Sequence, residues 1–491
     1  MVEATIAGLQ EALRDGRTTC QEIVRAYLDR IEAYDQPSGL NAVSMINPGA
    51  LERAAEIDAR ISAGEELGSL FCSPLLVKDN FDTHDLPTTG GSVVLAESLP
   101  PDDAFMVRRL RQADAIVLAK TNMAEWAFSP RRTESSTRGV TANAYALDRV
   151  PAGSSGGTAS GVAASLGVAG MGTDTGNSIR GPSSHLALVG IRSTIGLTSR
   201  DGVIPLAFDR DIAGPMARTV EDAVRILDVV AGHDPADPAT EADRREEDYT
   251  ALLDPDGLVG ARLGVLRALA EGESSDAEVL AVFDQALRDL AAAGAEIIDP
   301  VVVPDFDAHL EADPYCPRFR YDVYHYLLSL GDGAPLLDVM EAHETGRAAP
   351  YTAPAFEFYG AAPLEVPPEE WPEPCPFYLD HPLRRAFHDD VLAVMDAAGV
   401  DALLYPSWTH PPAHLERPRE EYKGDNSQLV SPATGMPAIT VPMGYTRGTL
   451  PAGLQILGRR YAEGKLIRIA YAYERATGHR RAPALFPPLA R

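Results

Sequence analysis

Short apolar runs bounded by turn residues alternate with stretches of helical periodicity along most of this chain, and that alternation fixes its class. SPLLVKDNF (73–81), AIVLAK (115–120), ARLGVL, AEIIDPVVV, DALLYP, PAITVP and AGLQILG each read as a buried strand. Between them, apolar residues recur at helical spacing: Ile6, Leu9 and Leu13, then Ile23, Ala26, Tyr27 and Ile31, then 103–113, 219–232, AEVLAVFDQALRDLAAAG and 462–477. Residues 5–64 are expected to be helical, and TASGVAASLGVAG is small and apolar enough to pack as a buried helix. The expected fold is α/β, with one large mixed sheet flanked by helices. Residues 305–430 break this texture with Pro, Tyr, Trp and acidic residues in weak periodicity. Residues 1–491 are expected to form one domain, in which 305–430 is an irregular excursion that either walls a pocket or is a surface insertion.

Composition limits the partners. A net charge of −28 disfavours nucleic acid and anionic membranes. No apolar run approaches the roughly 20 residues that span a bilayer. MVEATIAGLQEALRDG lacks a basic segment followed by an apolar one, so no signal peptide is expected. The four cysteines, Cys20, Cys72, Cys316 and Cys375, form no C-x-x-C pair. They suit free buried thiols in a reducing cytoplasm, with no disulfide framework and no thiolate zinc site.

The stretch VPAGSSGGTASG (150–161) invites three chemical readings. Gly153-Ser154-Ser155-Gly156-Gly157 fits the G-x-S-x-G elbow, which would make Ser155 a nucleophile. An elbow needs an apolar strand leading into the serine, and Ala146-Leu147-Asp148-Arg149-Val150-Pro151 is not one. No Gly-Lys-Ser/Thr follows the glycines, so a phosphate loop also fails. A flexible linker is the bland reading. His410 and His414 are separated by two prolines, which prevents the helix that would align them on a metal. Two further features are each weak alone. Lys78 ends an apolar strand, where desolvation would lower its pKa and leave a neutral amine able to act as a base. Gly172-Thr173-Asp174-Thr175-Gly176-Asn177-Ser178 is a small-residue turn whose backbone N–H groups suit an oxyanion.

Together these segments resemble the amidase signature family, from about residue 5 to residue 480. The resemblance is densest in PLLVKDNFDT, in LAKTNMAEWA, and from GSSGG through GTDTGNSIR to RSTIGLTSRDGVIPL and GPMARTVEDA. It returns at PATGMPAITVP and GLQILGR. It implies a Ser-cisSer-Lys triad in which Lys78 is the base, Ser154 the proton shuttle on a cis peptide, and Ser178 the nucleophile. Ser155 becomes a supporting hydrogen-bonding residue. The N–H groups of Thr175, Gly176, Asn177 and Ser178 are the implied oxyanion hole, and Lys120 is structural. The family commonly has glycine where this chain has Asn177, and often Gly-Gly where it has Ala152-Gly153. Asn tolerates φ > 0, so the turn survives, but a side chain then borders the nucleophile.

The expected activity is hydrolysis of an amide of a small, bulky or aromatic, uncharged substrate through an acyl-enzyme, without metal or cofactor. Met123, Trp126 and Phe128, just after the second core strand, and Tyr321 and Tyr324, in a tyrosine-dense segment that also holds Tyr315, Phe319 and Tyr326, are expected at the substrate. An aryl carbamate or ester hydrolase with the same triad is one alternative, and a glutamine-hydrolysing subunit of an amidotransferase is another. The third class is a catalytically dead binding protein, which failure to label with a fluorophosphonate would favour. The expected setting is cytoplasmic, with a small-molecule amide or carbamate as partner, no nucleic acid, no membrane, and homodimerisation left open.

Overall fold

In the computed structural model, which describes residues 1–272 and 274–490, eleven strands pair into one mixed sheet. In spatial order these are Val43–Ile46, Ile116–Thr121, Pro74–Lys78, Ala169–Asp174, Ile212–Ala217, Val189–Arg192, Ala438–Thr446, Leu450–Leu457, Ala402–Pro406, Arg262–Val265 and Glu296–Ile298. Pro74–Lys78 runs parallel to both its neighbours, Ile116–Thr121 and Ala169–Asp174. The strands from Ala169–Asp174 to Ala402–Pro406 pair antiparallel, and Arg262–Val265 and Glu296–Ile298 complete a parallel end. Strands such as Pro74–Lys78 and Ala169–Asp174 are buried along their whole length. That is why the sequence shows them as continuous runs and not as alternation. Helices such as Cys20–Ser38, Val220–Val230, Ala277–Ala292 and Glu463–Thr477 flank the sheet.

Each expected strand forms, and four more join the sheet: Val43–Ile46, Ala169–Asp174, Val189–Arg192 and Ile212–Ala217. Val43–Ile46 pairs antiparallel with Ile116–Thr121 inside the stretch expected to be helical. The helix before it stops at Gly39, whose φ of 80° is left-handed. Ala169–Asp174 starts at the end of the stretch read as a buried helix (158–170), and AGMGTD carries almost no β-branched residues to mark it as a strand. The helix there is Gly156–Ala163, which takes in only the first six residues of that stretch, 158–163. A Cβ on Gly170 would run into the Thr158 side chain and the Leu76 carbonyl, so smallness here serves close helix-on-sheet contact.

Residues 305–430 are more ordered than their sequence texture implies. They contain the helices Phe306–Glu311, Phe319–Ser329, Met340–Glu344, Ala353–Tyr359 and Pro382–Ala398, and then the sheet strand Ala402–Pro406. Their periodicity is weak because the side chains of Phe319, Val323, Tyr326, Phe356 and Tyr359 pack against one another and against Trp126 and Ile204.

The cysteines correct the expectation of free thiols. Cys20 is bonded to Cys72 and Cys316 to Cys375, with Cα atoms 5.7 and 5.8 Å apart. The partners are 52 and 59 residues apart in the chain, so only the tertiary fold reveals the pairing. Among the described residues, no helix is long and apolar enough to cross a membrane.

Candidate active site

Lys78 closes the strand Pro74–Lys78 and is fully buried. Its Nζ donates to Ser154 Oγ at 2.7 Å and to Thr173 Oγ1 at 2.6 Å. Burial lowers the Lys78 pKa to about 7, against the opposing pull of Asp211 and Asp174. A neutral amine is therefore accessible near physiological pH.

Ser154 precedes the helix Gly156–Ala163, and the Gly153–Ser154 peptide is cis. The Ser154 carbonyl accepts from Ala124 N at 3.0 Å. A Cβ on Gly153 would collide with the carbonyls of Ser129 and Arg132, so that position requires glycine. Ser155 Oγ both donates to Thr173 O (3.2 Å) and accepts from Thr173 N (3.3 Å), which fastens the serine pair to the sheet. It has the supporting geometry that the resemblance implies, not that of an elbow.

The chain leaves the strand Ala169–Asp174 through a turn over Thr175–Ile179 and enters the short helix Arg180–His185. Asp174 holds this turn. Its Oδ2 accepts from Ile179 N (3.1 Å) and Arg180 N (3.3 Å), and its carboxylate pairs with the guanidinium groups of Arg180 and Arg192. Burial pushes the Asp174 carboxyl up, but the two arginines outweigh it and hold the pKa at about 2. Thr175 Oγ1 donates to Asp211, and a Cβ on Gly176 would run into the Gln428 amide. Ser178 Oγ rests against Asn177 Oδ1 at 3.4 Å. No direct Ser178–Ser154 hydrogen bond is present among the described residues.

Asn177 does not use a positive φ, so the tolerance invoked for it is not what preserves the turn. Its side chain is tied back, with Nδ2 donating to Asp425 Oδ2 at 2.8 Å and to Pro130 O at 3.3 Å. Tyr422 OH donates to the same Asp425 oxygen at 2.9 Å. Burial raises Asp425 to about 7 against that hydrogen bond.

Thr175, Gly176, Asn177 and Ser178 form one side of a cavity of about 280 Å³. The opposite side is Phe128, Leu206, Tyr315, Ala355 and Tyr359, with Arg210 and Asp313 paired at 2.9 Å. Phe128 is central to this wall, stacked on Tyr359 at 5.5 Å and edge-on to Phe319 at 4.6 Å and Phe356 at 5.2 Å.

Of the five residues expected at the substrate, Phe128 lines this cavity and the other four do not. Met123 is buried. Trp126 supports the wall from behind, edge-on to Phe319 at 6.0 Å. Tyr321 meets Trp371 at 6.4 Å and Tyr324 meets His325 at 5.3 Å, because helical geometry turns both away from the face that carries Phe319 and Val323. Tyr326 donates to Asp82. Leu206, Arg210, Asp313, Tyr359 and Gln428 also line the cavity and were not expected there, since their positions along the chain carry no local signal. Lys120 is fully buried, donating to Phe81 O at 2.7 Å and Thr88 Oγ1 at 3.0 Å, in keeping with a structural role. The one His/Asp group close enough to share a metal among the described residues is His84, Asp85 and Asp103 at the surface, where Arg111 already pairs with both aspartates.

A family model described as Amidase matches residues 22–467. A glutamyl-tRNA(Gln) amidotransferase subunit from Synechococcus sp. (strain JA-3-3Ab) is 34% identical over 505 residues, which covers 99% of this chain and 94% of that relative. Among solved structures, the native peptide amidase of Stenotrophomonas maltophilia superposes with a TM-score of 0.87. It is 35% identical and each chain is 98% covered. A bacterial aryl acylamidase of the amidase signature enzymes superposes with a TM-score of 0.82 at 25% identity, covering 97% of this chain and 96% of that one.

Proposed function

The chain belongs to the amidase signature family and is an amide-bond hydrolase, and from that premise we propose that it cleaves an uncharged, apolar or aromatic amide through a Ser178–Ser154–Lys78 relay. The observation that carries this reading is the buried Lys78 amine, 2.7 Å from Ser154 Oγ and behind the turn that presents Ser178 to the cavity.

In the relay, neutral Lys78 takes the Ser154 hydroxyl proton while Ser154 takes that of Ser178. Ser178 Oγ turns from Asn177 toward Ser154 and attacks the substrate carbonyl. The N–H groups of the 175–178 turn stabilise the oxyanion, and a donor fixed in advance costs no reorganisation at the moment of reaction. The proton on Lys78 returns through Ser154 to the leaving amine. Water then enters, loses its proton along the same path, and releases the acid. The route needs no metal or cofactor. Residues 1–491 serve as one domain, with the helices of 305–430 supplying the aromatic side of the cavity.

A small apolar amide fits the wall of Phe128, Leu206, Tyr315 and Tyr359, since Arg210 and Asp313 neutralise each other there. An aryl carbamate or ester would react along the same path. The amidotransferase reading is favoured by identity along nearly the full length of a relative of that name. Against it, a Thermotoga maritima protein of that type superposes with a TM-score of 0.71, below the 0.87 of the peptide amidase. A net charge of −28 also suits a tRNA-linked assembly poorly. The two disulfides suit an oxidising compartment better than the cytoplasm expected from cysteine spacing, and cell fractionation decides the location.

The test is fluorophosphonate labelling of Ser178 alongside ammonia release from an aryl-substituted primary amide and from glutamine. Labelling with release from the aryl amide upholds the reading. Release from glutamine alone replaces it with the amidotransferase reading, and absence of both replaces it with a binding protein.

A further inference from the structure

We propose that the groove adjoining the catalytic cavity at Tyr315 is a second subsite, which holds the distal part of an extended, peptide-like substrate whose amide lies at Ser178. The proposal rests on the amide-hydrolase reading above and names the shape of its substrate.

The catalytic cavity, about 280 Å³, has room for the reacting amide and little more than one side chain, whereas the adjoining groove measures about 660 Å³. Tyr315 lines both. At three further places the chain steps from one wall to the other between consecutive residues. Arg210, Asp313 and Tyr359 face the catalytic cavity, while Asp209, Pro314 and Phe358 face the groove. The two spaces thus share a wall whose common residue is Tyr315, its OH hydrogen-bonded to Tyr359 OH at 2.7 Å, and an acyl chain too long for the first would reach the second by passing over that ring.

The groove's surface selects what enters. Pro317, Phe358, Trp371 and Pro374 present rigid apolar faces, and prolines offer no N–H that would compete for a bound backbone. Aromatic and proline faces of this kind suit an extended chain that loses little entropy on binding. Asp209 and Arg384 in its lining are paired with each other at 2.6 Å and present no net charge, while Glu373 is exposed and adds a carboxylate. A distal carboxylate on the substrate is thus disfavoured. Phe358 stays 55% exposed, an apolar surface that burial beneath a ligand would relieve.

The Cys316–Cys375 disulfide fixes the width, because it joins the 314–317 side to the 371–376 side and both cysteines line the groove. A groove held open before the ligand arrives binds without the cost of ordering two loops. Tyr321 backs this subsite edge-on to Trp371 at 6.4 Å, and does not back the catalytic cavity.

The experiment compares N-acetylphenylalaninamide with an N-acetylated tetrapeptide amide ending in the same residue, on the oxidised full-length protein. The tetrapeptide amide should show kcat/KM at least tenfold higher, with the gain in KM, and a distal glutamate should remove that gain. Trp371→Ala should bring the ratio of long to short kcat/KM toward one. So should Phe358→Ala, which changes an exposed ring and leaves the fold intact. Equal kcat/KM for both lengths overturns the subsite and leaves the hydrolase reading standing. Hydrolysis of neither amide overturns both. A dimer in light scattering that Phe358→Glu dissociates assigns the groove to a second copy of the chain and overturns the subsite.

Discussion

Lys78 Nζ and Ser154 Oγ lie 2.7 Å apart, with both residues fully buried. Desolvation alone would push the amine's pKa further down. Asp211 and Asp174 pull the other way, and the balance at about 7 places the change of charge where a base is useful.

The rate should follow that balance. Below pH 7, kcat/KM should fall about tenfold per pH unit as Lys78 is protonated, and above it a plateau should form. Lys78→Arg should be nearly inactive, since arginine does not deprotonate. The stability sign follows from the same shift. The folded pKa lies below the ordinary lysine value of 10.5, so the unfolded chain binds the extra proton between about pH 7 and 10.5, and stability gains from this group over that window. A pH–rate profile falling from 6 to 9 in folded protein contradicts the assignment.

Ser178→Ala should lower kcat by about 10⁴-fold or more and abolish fluorophosphonate labelling, with the fold unchanged. Ser155→Ala loses two hydrogen bonds to the Thr173 backbone and should keep measurable turnover. Intact-mass measurement after labelling reads both variants. Labelling that persists in the Ser178 variant and disappears in the Ser155 variant restores the elbow.

Asp174→Asn leaves the buried guanidinium groups of Arg180 and Arg192 without their shared anion. Removing one partner of a buried ion cluster costs about 3–5 kcal/mol. Because the folded carboxyl is held near 2, its contribution is present above the unfolded carboxylate value and lost as pH falls toward 2. Denaturant unfolding at pH 7 should show the loss and acid conditions should erase the difference between variant and parent. An Asp174→Asn protein as stable as the parent at pH 7 rules this account out.

These residues also show how much the sequence could reveal. Lys78, Ser154 and Ser178 each sit in a local pattern that is weak alone, and it was the resemblance of those patterns to one family that singled them out; the structure brings Lys78 and Ser154 within hydrogen-bond distance. Phe128, expected at the substrate, lines the cavity. Tyr359, Arg210, Asp313 and Gln428 were not legible, because they meet only after strands distant in sequence have paired and the 305–430 helices have folded over them. Asp174 looked like one more residue of a polar turn, since its arginines arrive from outside that turn. Tyr321 and Tyr324 fall outside the cavity lining because aromatic density locates a cluster but not which face of its helix turns toward the cavity. The cysteines misled because pairing depends on Cα separation in the fold, which spacing in the chain does not encode.

Under denaturing, non-reducing conditions no thiol should react with Ellman's reagent, and all four should react after reduction. Closing a loop of about 60 residues restricts the unfolded chain by about 4 kcal/mol in the chain-entropy account. Reduction should therefore lower the denaturation midpoint. Four reactive thiols before reduction would return the chain to the free-thiol expectation.

An apolar amide should be preferred over acetamide and glutamine because of what surrounds Phe128. Its ring is packed against Phe319, Phe356 and Tyr359, so the wall is rigid and already dehydrated on its far side. An aromatic group on the substrate gains about 25 cal/mol per Å² of apolar surface removed from water, while a charged one loses hydration that the paired Arg210 and Asp313 do not replace. Acetamide offers too little surface to gain much, and glutamine brings its zwitterionic backbone to the same wall. kcat/KM for an aryl amide should exceed that for both, and Phe128→Ala should narrow the difference by raising KM for the aryl amide more than for acetamide. A higher kcat/KM for acetamide or glutamine than for the aryl amide discards the apolar pocket while leaving the Lys78–Ser154–Ser178 relay untouched, because the relay acts on the carbonyl and the wall on what is attached to it.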